Sequence, residues 1–106
     1  MTSTTSNDWS FPAPSDLRVT SKSSNGVGIT FNAVRGPDGQ VPTNYTIATY
    51  NSSGALVDQF DTIETSTNEF GKGGKGLPKG TYHSNVWANG APVAPPHSTV
   101  TFTLAG

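Results

Sequence analysis

The sequence predicts an all-β protein in which seven short strands form a sandwich of two antiparallel sheets. Charged residues make up only 12% of the chain, whereas it holds 12 Gly and 8 Pro, a composition that suits short strands joined by turns. Apolar residues alternate with polar ones in short runs separated by turn formers. A Pro/Gly corner at residues 77–80 also leads directly into Tyr82, whose ring can be buried while its hydroxyl binds backbone upstream and fixes the crossing between two sheets.

Size, charge and cysteine content limit what the protein can be. A chain of 106 residues forms one domain with one small core. It has no Cys, so packing must hold it together without disulfides or thiolate metal sites. The net charge is −1 and only Lys72, Lys75 and Lys79 cluster in one loop. We therefore expect no nucleic-acid partner, because binding a phosphate backbone requires an extended basic surface.

The sequence contains no recognisable targeting segment. The first eight residues lack the basic start and apolar run of a secretion signal, and no apolar stretch approaches the roughly 18 residues of a membrane span. We expect no membrane partner and synthesis in the cytoplasm. The alternative is that the chain belongs to a larger polypeptide that is secreted.

A polar N-terminal stretch rich in Ser and Thr precedes the first strand. We divide the chain into an extended arm, residues 1–13, and the sandwich, residues 14–106. Trp9 and Phe11 are expected to insert into pockets of a neighbouring chain, while Pro12 and Pro14 hold the segment extended and lower the entropy lost on docking. Packing on the chain's own sandwich is the alternative. If the arm only docks, its deletion should leave the thermal midpoint nearly unchanged.

Alternation of apolar and polar residues defines the strands. In the third strand, Tyr45 and Ile47 are expected to face the core, and Thr46, Ala48 and Tyr50 to face outward. The seven predicted strands lie at or near residues 17–21, 27–31, 45–50, 55–60, 65–70, 81–88 and 100–104.

Four of these segments follow the pattern of a known family. They are a first strand after Pro14, a second at residues 27–31, a third at residues 45–47 and the corner at residues 77–82. Over about residues 14–104 the chain resembles a fibronectin type III domain, one of the immunoglobulin-like β-sandwiches. The resemblance implies a spacer or binding scaffold, a fold whose function lies in residues grafted on its surface.

The resemblance also assigns a structural corner and reveals two departures. It implies that Leu77, Pro78 and Tyr82 form the tyrosine corner. Phe31 stands where the family usually has Trp, and Ser84 stands where it has an aliphatic residue. These departures indicate a distant member of the family.

Catalytic and metal-binding patterns are scarce. His83 and His97 are the only imidazoles, and neither is placed beside an activated Ser. Two distant His without Cys do not make a zinc site, and the Asp residues lack calcium-loop spacing. Four carboxylates lie along a predicted edge region, where charge discourages edge pairing: Asp58, Asp61, Glu64 and Glu69. We expect no catalytic residue, no metal and no cofactor.

A Gly/Lys run at residues 71–76 also invites a phosphate-binding interpretation. Glycine amides can cradle anions. A nucleotide loop, however, needs Gly-Lys-Ser/Thr opening a helix, whereas here the next element is a strand. We therefore expect a flexible loop. Weak contact with an anion is the alternative.

Surface aromatic residues carry more functional information. Trp87 is out of phase with Val86 and Ala88, so we expect it on the outer sheet face beside Tyr50 and the Thr residues of the last strand. A solvent-facing Trp beside Tyr suits a protein or sugar contact. The alternative is that the arm or the proline-rich loop at residues 89–96 covers it.

Two functions fit these expectations. The first is a non-catalytic accessory protein that decorates the capsid of a tailed bacteriophage, at the virion surface after cytoplasmic synthesis. Its partners would be the major capsid protein or neighbouring copies of itself, with carbohydrate at a host surface as a further partner. This expectation is supported by a short chain that starts at Met1 and shows neither a secretion signal nor a set of catalytic residues. The second is an extracellular spacer or carbohydrate-binding module of a bacterial glycoside hydrolase or adhesin.

Overall fold

The computed structural model describes residues 8–105, which form seven β-strands and one 3-10 turn. The turn spans Lys72–Gly74. The strands are β1 (Arg18–Lys22), β2 (Val27–Thr30), β3 (Asn44–Asn51), β4 (Leu56–Thr62), β5 (Ser66–Glu69), β6 (Gly80–Asn89) and β7 (Ser98–Leu104). Across this part of the chain, no helix has the length and apolar character needed to cross a membrane.

The strands form two antiparallel sheets that face each other. One sheet has the order β1-β2-β5 and the other the order β4-β3-β6-β7. Every pairing between neighbouring strands is antiparallel. The predicted fold class, a seven-stranded antiparallel sandwich, is therefore confirmed.

The core lies between the sheets and is built from alternate residues of the central strands. Ile47 of β3 and Val86 of β6 are directly opposite each other, and both are fully buried. Burying such a side chain stabilises the fold by about 1.5–3 kcal/mol. The buried core includes Val27, Ile29, Phe31, Tyr45, Ile47, Leu77, Tyr82, Val86, Ala88, Phe102 and Leu104.

The outward positions of β3 are less exposed than the sequence predicts. Tyr45 and Ile47 face the core as expected, but Thr46 and Ala48 are also buried. The hydroxyl of Thr46 donates to Asp61 Oδ1 at 2.7 Å and accepts from Asn89 Nδ2 at 2.7 Å. A central strand has neighbours on both sides, so their longer side chains cover its small residues.

A tyrosine hydrogen bond closes the corner before β6. The hydroxyl of Tyr82 donates to the carbonyl of Pro78 at 2.6 Å. The Tyr82 ring is buried and stacks on Phe102 with 5.8 Å between ring centroids. Leu77 is buried beside it, and Pro78 itself is exposed. The hydroxyl thus ties the crossing segment to the four-stranded sheet.

We expect Tyr82→Phe to lower the free energy of unfolding by about 1 kcal/mol, because the Pro78 carbonyl loses its hydrogen-bond donor. Urea denaturation measures the change. Tyr50→Phe is the matched control, since Tyr50 lies on the outer face and should tolerate loss of its hydroxyl. A Tyr82→Phe midpoint equal to the wild-type midpoint would contradict a stabilising role for the corner.

Part of the predicted arm belongs to the sandwich. Phe11 is 1% exposed and lies in the core, and Pro14 is buried. The Trp9 ring meets Phe11 edge-on with 4.9 Å between centroids, and Val93 N donates to the Trp9 carbonyl at 3.2 Å. The expectation that residues 1–13 lie outside the core is wrong for Phe11, because burying its ring removes a large apolar surface from water.

The anchoring role expected for the arm changes accordingly. Phe11 and Pro14 pack on the chain's own sandwich, which was the alternative, and are not free to enter a neighbouring chain. Ser98 Oγ also donates to the Pro14 carbonyl. Trp9 is partly exposed and Pro12 is exposed. The remainder of the predicted arm, residues 1–7, lies outside the described residues.

Candidate functional site

Three loops meet at one end of the sandwich, because β2, β4 and β6 all run toward it. These loops join β2 to β3 (residues 31–43), β4 to β5 (63–65) and β6 to β7 (90–97). Phe31 N donates to the Thr65 carbonyl at 3.0 Å, and Thr43 N donates to the Asn89 carbonyl at 2.8 Å. We call this region, residues 31–43, 63–65 and 90–97, the loop end.

Each loop of the loop end exposes one large aliphatic side chain. The exposed fractions are 67% for Val41, 76% for Ile63 and 42% for Val93. Single exposed aliphatic residues are common, but here three of them lie on loops at the same end of the sandwich. Sequence reasoning missed these residues because each stands in a loop among polar or turn-forming residues, outside any alternating pattern. That isolation among polar and turn residues was the available signal.

The longest loop of the loop end, residues 31–43, is folded and is held by hydrogen bonds and by packing on Trp9. Val34 N donates to the buried Tyr45 hydroxyl at 3.2 Å, and Gly36 N donates to the Gln40 carbonyl at 2.9 Å. A Cβ added at Gly36 would lie 2.9 Å from Trp9 Cζ3, so the loop packs closely on that indole. A loop that is already folded loses less entropy when it binds a partner.

The two aromatic residues expected to form one surface contact are separated. Tyr50 stacks on His83 with 5.1 Å between centroids, whereas Trp87 lies opposite Thr46. Four residues along β3 separate Thr46 from Tyr50, or about 13 Å at the rise of a strand. The expectation that Trp87 neighbours Tyr50 is therefore wrong.

The expected neighbours on the last strand are also displaced from Trp87. Thr101 pairs with His83, and the β6–β7 pairing ends at Val86 and Ser98, one residue before Trp87. Tyr50 and Trp87 are both partly exposed, so each remains a predicted surface contact, but as two separate sites.

A buried polar network connects the two sheets. Glu69 of β5 is 0% exposed, and its Oε1 accepts a hydrogen bond from Thr49 of β3 at 2.6 Å. Ser84 of β6 lies 2.6 Å from the same Thr49 oxygen. Because Thr49 has one hydroxyl proton and gives it to Glu69, Ser84 donates to Thr49. Gly71 N donates to Glu69 Oε2 at 2.8 Å.

The burial of Glu69 corrects its expected role as an edge charge. β5 is an edge strand of its sheet, but the Glu69 side chain points between the sheets. Burial, together with a hydrogen bond that the protonated Glu69 donates to the Asp58 carboxylate, raises the pKa of Glu69 to about 7, against the opposing hydrogen bonds that Thr49 and Gly71 donate to it. The carboxyl therefore keeps its proton to a higher pH than an exposed glutamate does.

The network has a structural rather than a catalytic geometry. A shallow groove of about 280 Å³ adjoins Asp58 and Glu69, but both Glu69 oxygens are already bonded to Thr49 and Gly71 and the side chain is fully buried. No three metal-ligating side chains come together within residues 8–105.

The sequence contained a partial signal for this network. Ser84 occupies an inward position where the resembled family has an aliphatic residue, and Thr49 follows Tyr45 and Ile47 at the next inward position. The two hydroxyl-bearing residues are directly opposite each other in the sheet. A buried polar partner was therefore required, but the sequence did not identify it as Glu69.

Comparison with known proteins supports the fold and nothing finer. No family model matches the chain, and neither does any curated protein. The structure is similar to the fn3 domain of human contactin 1, with a TM-score of 0.70 and 20% identity over 98% of this chain and 86% of that one. It is also similar to a β-sandwich protein redesigned by computer, with a TM-score of 0.59 and 19% identity over 86% and 87% of the two chains.

These similarities establish a fibronectin type III-like β-sandwich. Function in scaffolds of this kind depends on residues grafted on the surface.

Proposed function

We propose that the protein is a non-catalytic accessory domain that docks on a larger protein assembly through its loop end, and that this assembly is the capsid of a tailed bacteriophage. The exposure of Val41, Ile63 and Val93 at the same end of the sandwich carries the proposal. The partner is the major capsid protein, with neighbouring copies of this chain beside it, at the virion surface after cytoplasmic synthesis.

The apolar chemistry of the loop end favours a protein partner. Interfaces place apolar residues at the centre and polar ones at the rim, and Arg35 and Asp38 supply exposed charges in the same loop as Val41. Burial of each aliphatic contributes about 1.5–3 kcal/mol, whereas association costs at least about 4 kcal/mol. The margin for one domain is small, so contacts between copies on a repeating surface would increase it.

Cosedimentation with purified tailed-phage capsids tests this proposal. We expect the triple variant V41S/I63S/V93S to bind at least tenfold more weakly, because three apolar contacts are lost. Leu56→Ser is the matched control, since Leu56 is 52% exposed but lies at the opposite end. Thermal midpoints of both variants should remain close to that of the wild type.

Two results would overturn the docking proposal. The first is a triple variant that cosediments as well as the wild type. The second is a wild-type protein that binds none of a panel of capsids.

A second candidate function is an extracellular spacer or carbohydrate-binding module, secreted as part of a larger protein. The observation that favours it is the outer sheet face, where Tyr50 stacks on His83 and Trp87 is partly exposed. Flat aromatic surfaces of this kind suit the apolar faces of sugar rings. Affinity electrophoresis in neutral polysaccharide gels should then show retardation that Trp87→Ala removes.

A further inference from the structure

A cleft of about 450 Å³ opens at the end of the sandwich opposite the loop end. One wall is the turn between β3 and β4, with Asn51, Ser52 and Ser53. The other wall is the segment before β6, where Lys72 and Lys79 lie. The volume falls within the range of small-ligand sites, about 300–1,000 Å³.

The charge in this cleft is exclusively positive. Lys72 and Lys79 line it, and its lining contains no Asp or Glu, although the whole chain has a net charge of −1. The ion pair found within residues 8–105 joins Arg18 to Asp16, so in this part of the chain no carboxylate pairs with either lysine. Cationic side chains gathered in a concave site attract anions.

The lysine-bearing wall has a fixed backbone. Gly74 N donates to the Gly71 carbonyl at 3.0 Å, Gly76 N to the Phe70 carbonyl at 2.7 Å and Leu77 N to the Asn25 carbonyl at 2.8 Å. Gly71 has φ 77° and Gly76 has φ 99°, values that favour glycine. The segment expected to be a flexible loop is thus folded and bonded to the sandwich.

The facing wall presents hydroxyl groups at a fixed position. Asn51 Oδ1 accepts hydrogen bonds from Ser53 N at 3.1 Å, from Ser53 Oγ at 2.8 Å and from Ala55 N at 3.0 Å, which hold the turn closed. Because Ser53 Oγ donates its proton to Asn51, its lone pairs are left to accept from a ligand hydroxyl. The cleft therefore combines ammonium groups on one wall with hydroxyl groups on the other.

We propose that this cleft binds an anionic saccharide, with its acidic group held by Lys72 and Lys79 and its hydroxyl groups held by Ser52 and Ser53. Carboxylate or sulfate satisfies the lysines, while a sugar hydroxyl can donate to Ser53 and can donate to or accept from Ser52. The site lies at the other end of the sandwich from the proposed protein contact, so the two proposals can fail independently.

Isothermal titration calorimetry at low salt with trigalacturonate, a sulfated carrageenan tetrasaccharide and neutral maltotriose tests this site. We expect at least one acidic oligosaccharide to bind and maltotriose not to bind. Lys72→Gln and Lys79→Gln should each weaken binding at least fivefold, and Ser52→Ala at least twofold. Lys75→Gln is the matched control, because Lys75 belongs to the same loop but does not line the cleft.

The two acidic ligands also identify the acidic group. Tighter binding of trigalacturonate indicates carboxylate, and tighter binding of the carrageenan tetrasaccharide indicates sulfate. Absence of binding by both would overturn the proposal. Equal losses in the Lys75 and Lys72 variants would also overturn it, because they would indicate attraction to total charge. A triglutamate peptide is the last comparison. If it binds as tightly as the acidic oligosaccharide and Ser52→Ala does not weaken its binding, the ligand is an acidic peptide and the saccharide proposal is wrong.

Discussion

The free energy of unfolding is expected to fall by about 3 kcal/mol at most as pH rises from 4.5 to above 7, because folding raises the pKa of Glu69. Its pKa rises from 4.5 to about 7 in the folded chain, and each unit corresponds to about 1.4 kcal/mol. Between these values the folded state holds a proton that the unfolded state has lost, so a rising pH favours unfolding. The contribution is fully present below pH 4.5 and lost as pH passes the folded-state pKa. Urea denaturation at several pH values measures the slope.

Glu69→Gln should remove most of this pH dependence. The amide oxygen can accept from Gly71 N, and the amide nitrogen can donate to Thr49, so the network stays bonded while the titrating group is lost. Glu64→Gln is the matched control, since Glu64 is exposed and its replacement should leave the slope unchanged. A Glu69→Gln protein with the wild-type slope would show that another group causes it.

The Asp58 carboxyl provides a second test of the same pair. Its hydrogen bond and its charge both raise the pKa of Glu69, so Asp58→Asn should shift the fall in stability to lower pH. Desolvation of Glu69 remains in that variant, and the fall should therefore shift rather than vanish.

The fold was predictable because its determinants are local. Val27, Ile29 and Phe31 alternate with polar or small residues, so period and turns together define a strand. The corner that precedes Tyr82 can be recognised from a few consecutive residues. These features need no knowledge of which strands pair.

The candidate sites were less predictable because they depend on pairing between distant segments. β5 has the sequence STNE without one apolar residue, and only its pairing with β2 directs Glu69 between the sheets. Ser84 and Thr49 fall at inward positions of their strands, yet their carboxylate partner, Glu69, comes from the other sheet. Val41 and Ile63 come to the same end of the sandwich only after the strands are ordered.

The position of Phe11 was mispredicted for a related reason. The residues around it are mostly Ser, Thr and Pro, and an isolated aromatic residue has no periodicity to reveal its partner. Phe11 becomes part of the core by packing with residues far along the chain, and the nearby Trp9 carbonyl accepts a hydrogen bond from Val93 N in the loop before β7. Composition describes the average behaviour of a segment, whereas one buried ring can determine where it lies.

Phe11→Ala is therefore expected to lower the free energy of unfolding by about 3–5 kcal/mol, the range for removing a buried Phe from a core. The ring is fully enclosed and also supports Trp9 edge-on, so its loss leaves a cavity and an unsupported indole. Urea denaturation at constant pH measures the change, and deletion of residues 1–13 should destabilise at least as much. Pro12→Ala is the matched control, because Pro12 is exposed and surface substitutions change stability by about 0.5 kcal/mol or less. A Phe11→Ala protein as stable as the Pro12→Ala protein would show that the segment is an arm independent of the sandwich.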